Sequence, residues 1–245
     1  MIDQVVNTKN LKEADVVLLS APYEGGVSFM GGTAEAPKKI MHCLNNNVEL
    51  FDPRYNCEPA KKIKTMHAEI SGLKKSSPEK MVKKVSSEYK KVLDHKKFPI
   101  LLGGEHTVSL GALLAISKKE NPKDVTILQI DAHQDLRDTN ADYDEHPSKF
   151  AHSCVMRRAH ELGFNLMQVG IRTFSIYEYE YSQKNKKTIK VFPWTDPARI
   201  PAIAEILASI KTKKVYLSLD VDGIDPGTMP GTGTPVPGGL KWNYA

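Results

Sequence analysis

With 245 residues, 40% apolar and 26% charged side chains, the chain has the make-up of an ordinary folded protein, which argues against wholesale disorder. The formal charge of +5 comes from scattered lysines, densest between Lys61 and Lys97, and no aromatics are interleaved with them. That pattern reads as a solvated helix face and argues against a nucleic-acid platform.

Cys43, Cys57 and Cys154 are odd in number and show no CxxC spacing, which speaks against a disulfide framework or a thiolate zinc site. A reducing, cytoplasmic setting is expected. The first nine residues lack the basic start and apolar core of a secretory signal. No apolar run approaches the roughly 20 residues that a membrane span requires.

In chain order, an apolar run at 15–19 reads as the first strand. The glycine-rich stretch 21–36 follows, without the Gly-Lys-Ser/Thr ending of a phosphate-binding loop, and leads into a helix starting near Pro37. Residues 78–94 carry the clearest helical pattern. Ser77 suits the N-cap, Pro78 the first helical position and Glu79 the positive end of the dipole. Met81, Val82, Val85, Tyr89, Val92 and Leu93 recur on one face.

Strands are expected at 98–102, 125–130, 166–171 and 215–219, and helices at 108–118, 153–162 and 196–210, the last with Pro201 placed to break its first turn. The strand runs are continuously apolar rather than alternating, as in a parallel sheet covered on both faces. Strands alternating with helices predict an α/β fold, a three-layer α/β/α arrangement with a mainly parallel sheet and right-handed crossovers. Without repeats or a compositional break, a single domain is expected over 1–245.

Three motifs stand immediately after apolar strands: Gly103-Gly104-Glu105-His106, Asp131-Ala132-His133-Gln134-Asp135 and Ser218-Leu219-Asp220-Val221-Asp222. In an open α/β sheet the carboxyl ends of strands are where ligands bind. Residues two apart on an extended strand point to the same side, so Asp131, His133 and Asp135 are expected to converge, as are Asp220 and Asp222. Together with His106 they supply carboxylate and imidazole donors for two divalent ions. Asp131 and Asp220 are the expected bridging carboxylates. The donor set contains no thiolate, which favours Mn2+, with Fe2+, Co2+ or Zn2+ as substitutes. A pair of such ions makes a water nucleophilic near neutral pH, so no serine or cysteine nucleophile is needed. His152, at a loop-to-helix junction, is the candidate for passing a proton to a leaving amine.

These motifs, with the run Ile224-Asp-Pro continuing to Pro230-Gly-Thr-Gly-Thr-Pro-Val-Pro-Gly-Gly-Leu240, and the shorter matches Ser28–Thr33 and Val169–Arg172, resemble the ureohydrolase family of arginases, agmatinases, guanidinobutyrases and formimidoylglutamases. The resemblance implies an arginase-like fold with two Mn2+ per chain. One ion would be held by His106, Asp131, Asp135 and Asp220, the other by Asp131, His133, Asp220 and Asp222. A metal-bridging hydroxide would attack a guanidinium carbon, with His152 as proton shuttle, and homotrimers or homohexamers are expected.

Where arginases read the amino-acid head group this chain has Phe150 and Thr173, and residues 150–158 resemble agmatinases. The expected reaction is therefore agmatine to putrescine and urea. Other activities of the family, or a metal-binding homologue without turnover, are the alternatives. Tyr244 falls where the family carries a glutamate against the guanidinium, and the chain stops at Ala245, short of the last strand region the family usually adds.

Overall fold

A computed structural model describes residues 5–245; the first four residues of the N-terminal segment considered above lie outside the described residues. The chain divides into two compact units, one running up to Gly25 and then over Gly32–Ala115, the other made of Gly26–Gly31 and Ile116–Ala245.

The first unit holds a three-stranded sheet in the order β2-β1-β3, from β1 (Val16–Ala21), β2 (Thr65–Glu69) and β3 (Phe98–Gly103), with both pairings parallel. The central strand β1 is the apolar one, buried from Val17 onward. Helix α1 (Ala36–Asn46) starts with a proline in its first turn, as expected near Pro37. Helix α2 (Pro78–Asp94) has the expected bounds. Ser77 caps it by accepting from the Lys80 amide, and Met81, Val82, Val85, Tyr89 and Val92 are buried against β1 and β3. Its solvent face carries the lysines, with Lys90–Asp94 and Lys91–Glu88 pairs at helical spacing. Helix α3 (Val108–Ser117) follows β3 and is buried over most of its surface.

The second unit holds a four-stranded parallel sheet in the order β6-β5-β4-β7, from β4 (Val125–Ile130), β5 (Asn165–Ile171), β6 (Ile189–Pro193) and β7 (Lys214–Leu219). Helices α4 (Val155–Glu161), α5 (Ile176–Lys184) and α6 (Ile203–Ala208) complete it. The stretch expected as one helix over 196–210 is split. A single turn at Pro197–Arg199 precedes α6, and Pro201 separates them. Likewise His152–Cys154 form a tight turn ahead of α4.

Strands β2 and β6 and helix α5 were not expected. Both strands are short sheet edges interrupted by polar residues, and α5 lacks a clean apolar stripe because the residues it buries, Glu178 and Ser182, are polar. No helix among the described residues is long and apolar enough to cross a membrane.

Candidate metal centre and catalytic cavity

Strands β4 and β7 run parallel in register, with Ile130 opposite Leu219, so their carboxyl ends bring Asp131 and Asp220 to the same sheet edge. Beyond that point neither strand stays extended. Asp220 caps a tight turn over Val221–Gly223, its carboxylate accepting from the Asp222 amide at 3.1 Å. Asp135 has a left-handed backbone, φ +53°, an uncommon conformation for a non-glycine residue and one found repeatedly at functional sites. The simple alternation expected from strand geometry therefore holds for Asp131 and His133 and then gives way to turns.

Those turns bring Asp131, His133 and Asp222 together, one donor atom of each lying within 4.8 Å of the others. Nδ1 of His133 lies 3.0 Å from Oδ2 of Asp222 and 3.5 Å from Oδ1 of Asp131. Burial opposes a charge on the imidazole, but hydrogen bonds to Asp131 and Asp222 and the charge of both carboxylates outweigh it, pushing His133 up to about 11. Two buried carboxylates thus converge on one imidazole and want a shared cation. The donor set is hard and free of thiolate, so a divalent ion fits where the proton otherwise sits.

The carboxylates are held by backbone amides. The His133 amide donates to Oδ1 of Asp131 at 2.6 Å, and the Ala132 amide to Oδ1 of Asp222 at 3.0 Å. The Thr234 hydroxyl, from the Pro-Gly-Thr-Gly-Thr-Pro run, donates to Oδ2 of Asp222 at 3.0 Å. That run thus holds a ligand candidate in place.

Arg172 clamps the segment beneath. Its guanidinium donates to the carbonyls of Gly170, Asp222, Gly223, Val236 and Pro237. Gly170 has φ +95°, and a Cβ there would lie 2.6 Å from Leu240 and 2.9 Å from the Asp131 carbonyl. At Gly223 a Cβ would come within 2.8 Å of the Asp131 amide. Both sites demand glycine because the ligand-bearing backbones approach so closely.

A cavity of about 290 Å3 opens beside this cluster, lined by Ser28, His133, Asp135, Arg137, Tyr143, His152, Ser153, Thr173, Phe174, Ser175, Glu178 and Thr234. His152 is oriented by the glycine-rich stretch. Its Nδ1 donates to the Gly26 carbonyl at 2.6 Å, which puts the lone pair of the neutral ring on Nε2, 3.2 Å from the Ser28 hydroxyl. Tyr143 packs its ring 5.9 Å from the imidazole and shares a 2.6 Å hydrogen bond with Ser153. Burial raises the Tyr143 phenol well above its ordinary value, so it stays neutral. Asp135 is buried beside it, its carbonyl receiving the Met156 and Arg157 amides that open α4.

Glu178 was missed from the sequence. It is buried at the cavity floor, where it accepts from the Leu136 amide and from the amide and hydroxyl of Ser175, and it lies 3.7 Å from Arg137. The signal was available: Ser175 and Glu178 form a capping box at the start of α5.

The expected site residues are divided between the units. His106 belongs to the first, where its carbonyl receives the Ser109 amide as α3 begins, and Asp131, His133, Asp135, His152, Asp220 and Asp222 belong to the second. Tyr244 lies elsewhere in the second unit. Its hydroxyl donates to the Pro201 carbonyl and its ring meets Trp194 edge-on at 4.8 Å, packed on the cluster of Met167, Phe192 and Leu240. It is not among the residues lining the cavity.

A carboxylate–imidazole cluster at the strand ends of a parallel sheet, beside a cavity with an oriented histidine, has the make-up of a metal-dependent hydrolase. Residues 14–245 match the Arginase family, and the chain belongs to it, as a ureohydrolase of that family. It is 34% identical to an N(1)-aminopropylagmatine ureohydrolase of Synechocystis sp., over 94% of this chain and 74% of the relative. It is 31% identical to an agmatinase of Bacillus subtilis, over 94% and 75%. The agmatine ureohydrolase of Thermoplasma volcanium superposes with a TM-score of 0.81 at 29% identity, covering 98% of this chain and 77% of that structure. The arginase-like α/β fold expected from the sequence is the one observed; the mainly parallel sheet expected is seen as a three-stranded and a four-stranded parallel sheet.

Proposed function

We propose that this chain is an agmatinase-type enzyme that hydrolyses agmatine to putrescine and urea, using two Mn2+ ions per chain. The supporting observation is the charge of the cavity. Arg137 is the one permanently cationic side chain among its lining residues, and it is already paired with Asp142 and Glu178. Thr173 and Phe174 beside it are uncharged. A substrate carboxylate would find no partner there, whereas a decarboxylated guanidine needs none. A second reading, a guanidine carrying a longer polyamine tail, is favoured by the likeness to the aminopropylagmatine enzyme.

Asp131, His133 and Asp222 are the proposed ligands of one ion; the resemblance assigns His106, Asp135 and Asp220 to the full pair, with Asp131 and Asp220 shared. When bound, the ions supply Lewis acidity and lower the pKa of a water that can attack the guanidinium carbon. The chain's own residues do the rest. His152 takes up a proton at Nε2, because Nδ1 is engaged by Gly26, and delivers it to the departing amine. Tyr143 and Ser28 keep the ring in place, and Phe174 offers an apolar wall to the methylene chain. Glu178 holds the backbone at Leu136 and Ser175 that shapes the cavity floor. We further take residues 1–245 to work as one catalytic domain, in a cytoplasmic homotrimer or homohexamer serving polyamine synthesis.

The test is urea release from agmatine after loading with Mn2+, with aminopropylagmatine, arginine and guanidinobutyrate alongside. Putrescine and urea in equal amounts from agmatine are expected. Faster urea release from arginine or guanidinobutyrate would overturn the assignment, and preference for aminopropylagmatine would select the second reading.

A further inference from the structure

Asp131 is held by more than backbone amides. Gln129 on β4 and Gln168 on β5 stand directly opposite each other in the sheet, and both are fully buried. A primary amide carries two donors on nitrogen and an acceptor oxygen, and only its partners tell which end is which. Here the partners settle both. Nε2 of Gln129 faces Oδ2 of Asp131 at 2.8 Å and the His133 carbonyl at 3.2 Å, both acceptors, so that end must be the donor. Its oxygen then receives Nε2 of Gln168 at 2.6 Å, and the same nitrogen donates to the Gln134 carbonyl at 2.6 Å. The donors run one way, from Gln168 through Gln129 into the carboxylate.

The pair is not ideal for packing alone: among the described residues Oε1 of Gln168 is buried without a hydrogen-bond partner, a cost set against the bonds the two amides make to the His133 and Gln134 carbonyls. A neutral donor against Asp131 does something a lysine or arginine could not. It fixes the plane of the carboxylate while leaving its negative charge for a cation.

We propose that Gln129, itself fixed by Gln168, is a positioning residue for the metal centre, holding Oδ2 of Asp131 so that Oδ1 stays on the His133 side. This rests on the metal reading above. Partners of ligands placed in this way alter metal affinity by about tenfold to a hundredfold when removed.

The experiment is a Mn2+ titration followed by the electron paramagnetic resonance of the free ion, on the wild-type protein, Gln129→Met and Gln168→Met, with circular dichroism and thermal unfolding in parallel. Methionine keeps the length of glutamine and removes the donor. The expected result is a Kd for Mn2+ raised about tenfold or more in Gln129→Met and by a smaller factor in Gln168→Met, both folded. Wild-type affinity in a folded Gln129→Met would overturn the positioning role. If Gln129→Met does not fold, Gln168→Met decides, and unchanged affinity there overturns it too. A wild-type protein that takes up no divalent ion would instead bring down the metal reading, and the positioning role with it.

Discussion

The ligand cluster and the wall that carries His152 are held in opposite ways. Asp131 and Asp222 each receive a backbone amide and a side-chain donor, and the backbones behind them are packed so closely that only glycine fits at 170 and 223. His152 hangs from a turn, and its ring meets the Gly26 carbonyl and the Ser28 hydroxyl of the glycine-rich stretch and the Tyr143 ring. The difference separates two tasks. Donors for a cation must keep their spacing whether or not the cation is present, so they are built from strand ends and fixed amides. A group that carries a proton from one place to another needs a defined tautomer and a short reach, which a loop supplies.

The sharpest way to break this contrast is to remove a ligand candidate. Asp222→Ala leaves the Ala132 amide and the Thr234 hydroxyl without their acceptor and His133 with one carboxylate. The expected outcome is loss of tightly bound Mn2+ and a fall in turnover of roughly a thousandfold or more, read by metal content and urea release. His152→Gln should separate the two walls. Turnover is expected to fall by about a hundredfold to ten-thousandfold while Mn2+ affinity stays at the wild-type value. Loss of metal in that variant would mean that the walls are not independent.

Gly170→Ala probes the close approach behind Asp131. With a positive φ and a Cβ 2.6 Å from Leu240, it should destabilise the protein by about 1–3 kcal/mol in chemical denaturation and weaken Mn2+ binding as the Asp131 backbone shifts.

The smallest effect concerns acid. His160 on α4 contacts Tyr181 and Thr188, and burial, then the charge of Arg157, lower its pKa. The unfolded chain therefore binds that proton more readily than the folded one. Stability from this group is present above the ordinary histidine value of about 6.5 and is lost as pH falls from there through the folded value. His160→Gln should flatten the acid limb of the stability curve, and an unchanged limb would remove His160 as its source.

Much of this was legible in the chain because strong local rules agreed with the fold. Residues 78–94 carry a cap, a proline at the first position and a continuous apolar face, and the helix has those bounds. Strands β1, β4 and β5 are buried as their continuously apolar runs imply. Strands β3 and β7, which two of the three metal motifs follow, are not covered on both faces: Phe98, Ile100, Val215, Leu217 and Leu219 are exposed. What the chain hid lies where side chains act through distant partners. Nothing local marks Arg172 as the clamp over residues 222–237, or pairs Gln129 with Gln168 across two strands. Alternation along an extended strand could not foresee the left-handed backbone at Asp135 or the turn capped by Asp220, because both depend on hydrogen bonds made after the strand ends. Tyr244, expected at the substrate from its place in a motif, packs on Trp194, a contact that register alone does not reveal.

The most direct measurement is the anomalous diffraction of crystals grown with Mn2+, collected at the manganese absorption edge. Peaks within bonding distance of Asp131, His133 and Asp222 are the expected result. Crystals with Mn2+ bound elsewhere, and His133 still shared between the two carboxylates, would contradict the account.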